Sequence, residues 1–278
     1  VATMLWLSPI YRDRWQILDG TQMRIAICIS GSPRMFDYEA SVRSMKILIE
    51  RFNADVFMHT FHPHDETPYL ATPSWQYARE TYDQIEFLDM LRDFYGPTLR
   101  KAVAEIYREH IKTLPDWTQY PNHTGHPNGV LSIFSMYNKI AACHRLLREY
   151  EAEAGVQYDV EIKMRTDIAF YEFQNSLDFV RDGVVYTPDH DPRGNHNSGY
   201  WCGGIMDSVF VGTPTTMDKL SGIVDKWDEF RAKSVAFKHE RVLRQQAEDN
   251  NLTWTTFPVS SRWANQKLVD GKWHDTRT

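Results

Sequence analysis

Two apolar runs with a helical stripe between them constrain this chain more than any other feature it has. "RIAICISG", residues 24–31, is continuously apolar and closes on Ser30-Gly31, which is the pattern of a strand buried on both faces. "ADVFMHTF", residues 54–61, is a second strand. Between them, over 40–52, Val42, Met45, Leu48, Ile49 and Phe52 share one face of a helix. Strand, helix and strand in that order make a parallel unit with a right-handed crossover. The expected class is therefore α/β, with a mostly parallel central sheet flanked by helices.

The remaining pattern extends that unit. A helix over 80–94 stops at Gly96-Pro97, and residues 99–113 fit either helix or strand. "LPDWTQYPNHTGHPNG", 114–129, is too rich in Pro, Asn, His and Gly for regular structure, and a loop of that length is often functional. The longest helix is expected over 130–152, with Val130, Ile133, Phe134, Tyr137, Ala141, His144 and Leu147 as its stripe. In the next strand, 158–166, Tyr158, Val160, Ile162 and Met164 alternate with Asp159, Glu161, Lys163 and Arg165, giving one apolar face. "DGVVYTP" and "DSVFVGT" read as two more strands around the loop "DHDPRGNHNSGYWCGG". Helices at about 214–231 and 238–250, a short strand "LTWTTFP" and a polar tail complete the chain. With no repeat and no linker, residues 23–278 read as one domain. Residues 1–22, whose "MLWLSPI" is too short to span a membrane, read as an N-terminal extension or docked arm.

Composition narrows the partners. The net charge of -6 opposes broad nucleic-acid binding, which needs a basic surface, but leaves small anionic ligands open. Cys28, Cys143 and Cys202 lie far apart and are odd in number, so neither a metal-ligand spacing nor a disulfide framework can be read from them. A reducing, cytoplasmic location is expected, with Cys28 and Cys143 as small core residues. The glycosylation triplets Asn122-His123-Thr124 and Asn251-Leu252-Thr253, without a secretory signal, are read as chance.

Four stretches are similar to one family: "RIAICISGSPRMF", "MYNKIAACHRLLREYEAEAGVQYDVEIKMRTDIAF", "MDSVFVGTPTTMDKL" and "HERVLRQQAEDNNL". They resemble GT-A-fold glycosyltransferases, in particular the poorly characterised bacterial and viral-type sugar transferases. The resemblance spans most of residues 23–257. It implies a GT-A-like, Rossmann-like sheet and a hexosyl- or pentosyltransferase that moves a sugar from a nucleotide-diphosphate-sugar to a hydroxyl of a glycan or other acceptor. It also implies Mn²⁺ or Mg²⁺ held against the diphosphate by a short acidic motif. Asp167 matches that motif, but Ala169 stands where the usual Asp-x-Asp has its second carboxylate. Three options stay open: Asp167 acts alone, recruits His239 as a metal ligand, or binds ribose without metal.

Each candidate residue has a plain reading beside the functional one. Ser30-Gly31 and Arg34 meet the nucleotide, or they form an ordinary tight turn. Arg165 beside Asp167 stabilises the diphosphate, or it ends a surface strand in a solvated ion pair. Asp207 is the expected base for the acceptor hydroxyl, or it terminates the glycine turn before a strand. Tyr137 belongs to the apolar stripe and so to the core, with donor contact as the alternative. Lys139 points away from the stripe, toward solvent or a phosphate. His239-Glu240 opens the late helix, where an acidic residue is also good helix electrostatics. Tyr200 and Trp201 stack on an acceptor sugar with Asp191 hydrogen-bonding it, or they pin their loop to the core. Two other functions fit less well: a metal-dependent phosphoester or glycoside hydrolase, and a non-catalytic carbohydrate- or nucleotide-binding module.

Overall fold

The computed structural model describes residues 23–32, 39–61, 84–123, 129–166, 168–172, 176–188, 205–257, 260–263, 266–269 and 272–275. Residues 1–22 lie outside them, and so does the expected extension. The first strand, β1 (Ile25–Gly31), leads through α1 (Glu39–Phe52) to β2 (Asp55–Phe61), α2 (Gln84–Tyr95) and β3 (Leu99–Glu105). Then come α3 (Tyr107–Thr113), the long α4 (Gly129–Ala154), β4 (Val160–Met164), β5 (Ile168–Glu172), β6 (Val184–Pro188) and β7 (Val209–Gly212). The chain continues through α5 (Pro214–Ser221), α6 (Trp227–Ala232), α7 (His239–Asp249) and β8 (Thr253–Phe257). Strands β9 (Ser260–Trp263), β10 (Gln266–Val269) and β11 (Lys272–Asp275) follow.

Seven strands form one sheet in the order β3-β2-β1-β4-β7-β6-β8. Strand β7 pairs antiparallel with both neighbours, and every other pairing in the sheet is parallel. This is the α/β class expected, with a mostly parallel sheet. The chain builds outward from β1 to β3, then α4 carries it back to β4 on the other side of β1. The order therefore reverses between β1 and β4, and in open α/β sheets the ligand crevice lies at such a reversal, outside the carboxyl ends of the strands.

Several expectations sharpen. Residues 99–113 are both strand and helix, with Ile106 between β3 and α3. The helix expected over 214–231 breaks into α5, a 3-10 turn at Gly222–Asp225, and α6. The polar tail holds strands, β9 pairing with β5 and β10 with β11. Gly96 adopts φ +58°, a left-handed conformation open to glycine, and ends α2 where Gly96-Pro97 predicted a stop. Among the described residues, no helix is long and apolar enough to cross a membrane.

The core has two sides. On one, Ile25, Ile27, Ile29, Val160, Ile162, Met164, Val209 and Val211 pack against Met45, Leu48 and Phe87 of α1 and α2. On the other, α4 lies over the sheet, and Phe134 stacks on Trp227 with centroids 4.2 Å apart. All seven residues of the predicted α4 stripe are buried. Each large apolar side chain so buried contributes roughly 1.5–3 kcal/mol.

The alternation in β4 has a different meaning from the one expected. Glu161 and Lys163 do not face solvent; they are 0% and 1% exposed, because α4 covers the face on which they stand. Burial of a charge is tolerable only with close partners. Glu161 accepts a hydrogen bond from Arg148 Nη2 at 2.5 Å and lies 3.2 Å from His144 Nε2, both on α4. Arg148 is further bound to Glu151 and Asp218. The substitution Arg148→Met removes the guanidinium beside the carboxylate, and a loss of about 3–5 kcal/mol is expected in urea denaturation. Adding Glu161→Gln should restore most of it; a double variant no more stable than the single would show that the two charges are not coupled.

Candidate active site

The crevice between β1 and β4 is built by two threonine clamps. Gly31 turns the chain with φ +116°, a conformation that strains any residue with a Cβ. Thr60 Oγ1 donates to the Gly31 carbonyl at 2.8 Å, and Thr166 Oγ1 donates to the Ser32 carbonyl at 2.7 Å. The exit of β1 is thereby tied to β2 on one side and to the end of β4 on the other. Ser30, just before the turn, is buried.

One position beyond β4, the Arg165 amide donates to the Ser208 carbonyl at 3.2 Å, which draws the segment before β7 against the crevice. Asp207 stands there, buried, with its carboxylate 4.0 Å from Arg165 Nη1. Lys163 Nζ donates to the Asp207 carbonyl and lies 5.0 Å from the Phe210 ring centroid. Burial alone would raise the Asp207 pKa, but the charges of His239, Arg165 and Lys163 outweigh it and hold the group below its ordinary value. Asp207 is a buried carboxylate kept ionised by three basic side chains.

His239, the first residue of α7, is positioned by α4. Its Nε2 lies 2.9 Å from Ser132 Oγ, and Tyr137 donates its hydroxyl proton to the His239 carbonyl at 2.6 Å. The Ile205 amide donates to the Glu240 carbonyl at 3.0 Å, tying the approach to Asp207 onto the same helix end. Tyr137 is 1% exposed and packs on Trp227, so it positions His239 from within the core.

Lys139 corrects its sequence reading. The predicted solvated face of α4 is closed by the ends of β2 and β3 and by α3, and Lys139 is 0% exposed. Its Nζ lies 2.5 Å from Glu105 Oε2 and 3.9 Å from the Phe61 ring centroid. Burial lowers its pKa to about 8 against the opposing Glu105 charge. His110 Nδ1 lies 2.9 Å from the same carboxylate, and His59 is driven down to about 3, first by burial and then by the Lys139 charge. Lys139 thus belongs to a charge cluster at the β2–β3 edge.

Arg34, Asp167, Asp191, Tyr200 and Trp201 lie outside the described residues. Of the other predicted residues, the structure brings Ser30, Gly31, Arg165, Asp207 and His239 to the crevice or its wall. Sequence reading passed over Ser132, Lys163, Thr166 and Ser208. Lys163 and Arg165 do share one phase of the β4 alternation, and that was the available signal.

Asp167, the carboxylate that the resemblance assigns to a divalent cation, lies outside the described residues. Asp207 is already surrounded by His239, Arg165 and Lys163, and His239 Nε2 is engaged by Ser132. Among the described residues no three His, Cys, Asp or Glu side chains gather as a cation site.

No family model matches the chain. No curated protein matches it either. Among solved structures, the apo form of the glycosyltransferase GlyE from Streptococcus pneumoniae TIGR4 is similar at a TM-score of 0.39 and 9% identity. The alignment covers 84% of this chain and 45% of GlyE, so this chain matches less than half of that structure's length. That likeness is too remote to assign a fold family or an activity.

A carboxylate with a depressed pKa stabilises the fold above the unfolded-state pKa, and that contribution is lost as pH falls toward the folded-state value. For Asp207 the window opens below about pH 4, the ordinary carboxylate range. In Asp207→Asn, the fall of the urea midpoint between about pH 5 and pH 3 should be shallower than in wild type. Identical acid limbs would mean that the three basic side chains do not act on this carboxylate.

Proposed function

We propose that this protein is a glycosyltransferase that takes a nucleoside-diphosphate sugar as donor and a hydroxyl of a glycan or related acceptor. The observation that carries the reading is the buried, ionised Asp207 beside Arg165, at a crevice outside the carboxyl ends of parallel strands. Open α/β sheets bind ligands at such a reversal of strand order. The sequence resemblance stated above points to the same chemistry.

The residues divide by charge. Asp207 accepts the proton of the acceptor hydroxyl as its oxygen bonds to the anomeric carbon. The bond from that carbon to the diphosphate breaks with its electron pair on oxygen, and Arg165 faces the charge that develops there. A carboxylate held among cations is a weak base, and diphosphate binding offsets this. The anion competes for the Arg165 guanidinium, lessens its pull on Asp207, and so raises the proton affinity of the carboxylate as the donor arrives. Ser30, Gly31, Arg34 and Asp167 fall to the donor side, with Tyr137 behind His239. Asp191, Tyr200 and Trp201 fall to the acceptor.

The test is release of nucleoside diphosphate from a panel of nucleotide sugars, with and without glycan acceptors. Acceptor-dependent release from one donor is expected; release that ignores acceptor would indicate a hydrolase. With the active pair in hand, Asp207→Asn should lower kcat by roughly 10²–10⁴-fold, the usual worth of general-base catalysis, with donor KM little changed. Unimpaired turnover would retire Asp207 as the base.

A further inference from the structure

Glu105, the last residue of β3, gathers Lys139 Nζ at 2.5 Å, His110 Nδ1 at 2.9 Å and His59 Nε2 at 3.4 Å. The hydrogen bond from His110, and after it that from Lys139, hold the carboxyl well below the usual carboxylate range. An ionised carboxylate has no proton to give and only accepts. The nitrogen of His59 that faces it therefore carries the ring proton. Burial, and then the Lys139 charge, keep this ring neutral. A neutral imidazole has one donor and one acceptor nitrogen, and the contact made by one decides the other. His59 Nδ1 is thus left as a lone pair that needs a donor.

Ser30 is the residue placed to answer it. Strands β1 and β2 pair in parallel without a break in register, and Ser30 is the partner of His59. Two residues earlier on the same strands, Cys28 and Phe57 pack with Cys143 and Leu147 of α4. Alternation within both strands sends Ser30 and His59 to that face as well. On its other flank His59 is paired with Val103 of β3, whose side chain has no proton to donate. The polar groups of α4 over this row are engaged: Lys139 by Glu105, and Cys143 Sγ by the Phe57 and Ile29 carbonyls at 3.4 and 3.6 Å. Ser30 and His59 are 2% and 5% exposed, and neither Ser30 Oγ nor His59 Nδ1 has a hydrogen-bond partner among the described residues. Buried polar groups are seldom left in that state. A hydroxyl donor and a bare ring nitrogen stand side by side on strands about 4.8 Å apart, a gap that one water spans.

We propose that His59 is a positioning residue for the Ser30-Gly31 turn, joined to it by one internal water that accepts from the Ser30 hydroxyl and donates to His59 Nδ1. The chain from Glu105 through His59 to Ser30 braces the exit of β1 from the β2–β3 side. Gly31 turns the backbone there with φ +116°, and Thr60 already holds its carbonyl at 2.8 Å. Glu105 acts at a distance in this arrangement, because it decides which nitrogen of His59 is bare. That the turn meets a sugar donor rests on the glycosyltransferase reading; the link between His59 and Ser30 does not.

Long-range ¹H–¹⁵N correlation NMR near neutral pH, on protein labelled at histidine, reads the link without calling on transfer, and His59→Asn assigns the signals. His59 should be the Nε2–H tautomer, with Nδ1 shifted upfield by the hydrogen bond it accepts. In Ser30→Ala that Nδ1 resonance should move downfield. Amide exchange of Ser30 and Gly31, taken relative to Ile27 of the same strand, separates a local brace from general stability. In Ser30→Ala and in His59→Leu the ratio should rise about two- to ten-fold, the worth of one hydrogen bond. His59→Asn keeps a polar atom close to the position of Nδ1 and should stay near wild type. An Nδ1–H tautomer in the wild type, an Nδ1 resonance unmoved by Ser30→Ala, or unchanged exchange ratios in both variants would overturn the proposal. With an active donor in hand, His59→Leu should raise donor KM about two- to ten-fold at little changed kcat, and His59→Asn should restore it. The NMR signature with an unchanged KM would uphold the link and remove this turn from donor binding.

Discussion

Burial of the charged face of β4 under α4 is the constraint from which the rest of the site follows. A central strand that carries Glu161, Lys163 and Arg165 on one face can be covered only if each charge finds a partner before water is lost. For Glu161 the partners are on the covering helix itself, Arg148 and His144. Lys163 donates to the Asp207 carbonyl across the strand boundary. That bond fixes the backbone on which the Asp207 carboxylate rides. Arg165, one phase further along, then meets the carboxylate itself. The placement of the candidate base is thus a consequence of making a charged strand acceptable in a core.

Local periodicity explains what was legible in the sequence. The apolar runs of β1 and β2, the stripe of α1 and the whole buried stripe of α4 depend on neighbours within a few turns or residues, and the sequence declares them. The parallel class follows from their order. What periodicity cannot state is which element covers a face. The polar phase of β4 read as a surface because Glu161 and Lys163 are charged, yet their cover and partners come from α4 and from the segment before β7. Lys139 failed for the same reason: a helical wheel assumes one wet face, and α4 is enclosed on several sides, with Glu105 and His110 closing over the lysine. Asp207 and His239 could be picked out by position, but their mutual arrangement depends on Tyr137 and Ser132, which read as core and as nothing at all.

The two charge clusters at the carboxyl edge differ in a way that bears on function. At β2 and β3, Lys139 and Glu105 are opposite charges in direct contact, with His59 kept neutral by burial and by the lysine. Such a cluster is internally balanced and has little pull on a ligand. Around Asp207 one carboxylate faces Arg165, Lys163 and His239, and their charges act together on its proton affinity.

The supported charged groups and the residues expected at an acceptor are also separated along the chain. Asp207, Arg165 and His239 are held by strand ends and by α4 and α7, whose junction is locked by the Tyr137 and Ser132 contacts and by the stacked rings of Phe134 and Trp227. Groups that handle charge in a reaction gain most from such fixed placement. Asp191, Tyr200 and Trp201, the residues expected at an acceptor, fall within "DHDPRGNHNSGYWCGG", a segment whose Gly, Asn and His content is that of a connecting loop. If the reaction is glycosyl transfer, the scaffold carries chemistry common to any donor diphosphate, and this one segment carries the choice of acceptor. Exchanging the segment should then alter which hydroxyl is glycosylated, while the hydrogen bonds from Lys163 to the Asp207 carbonyl and from the Ile205 amide to the Glu240 carbonyl stay in place.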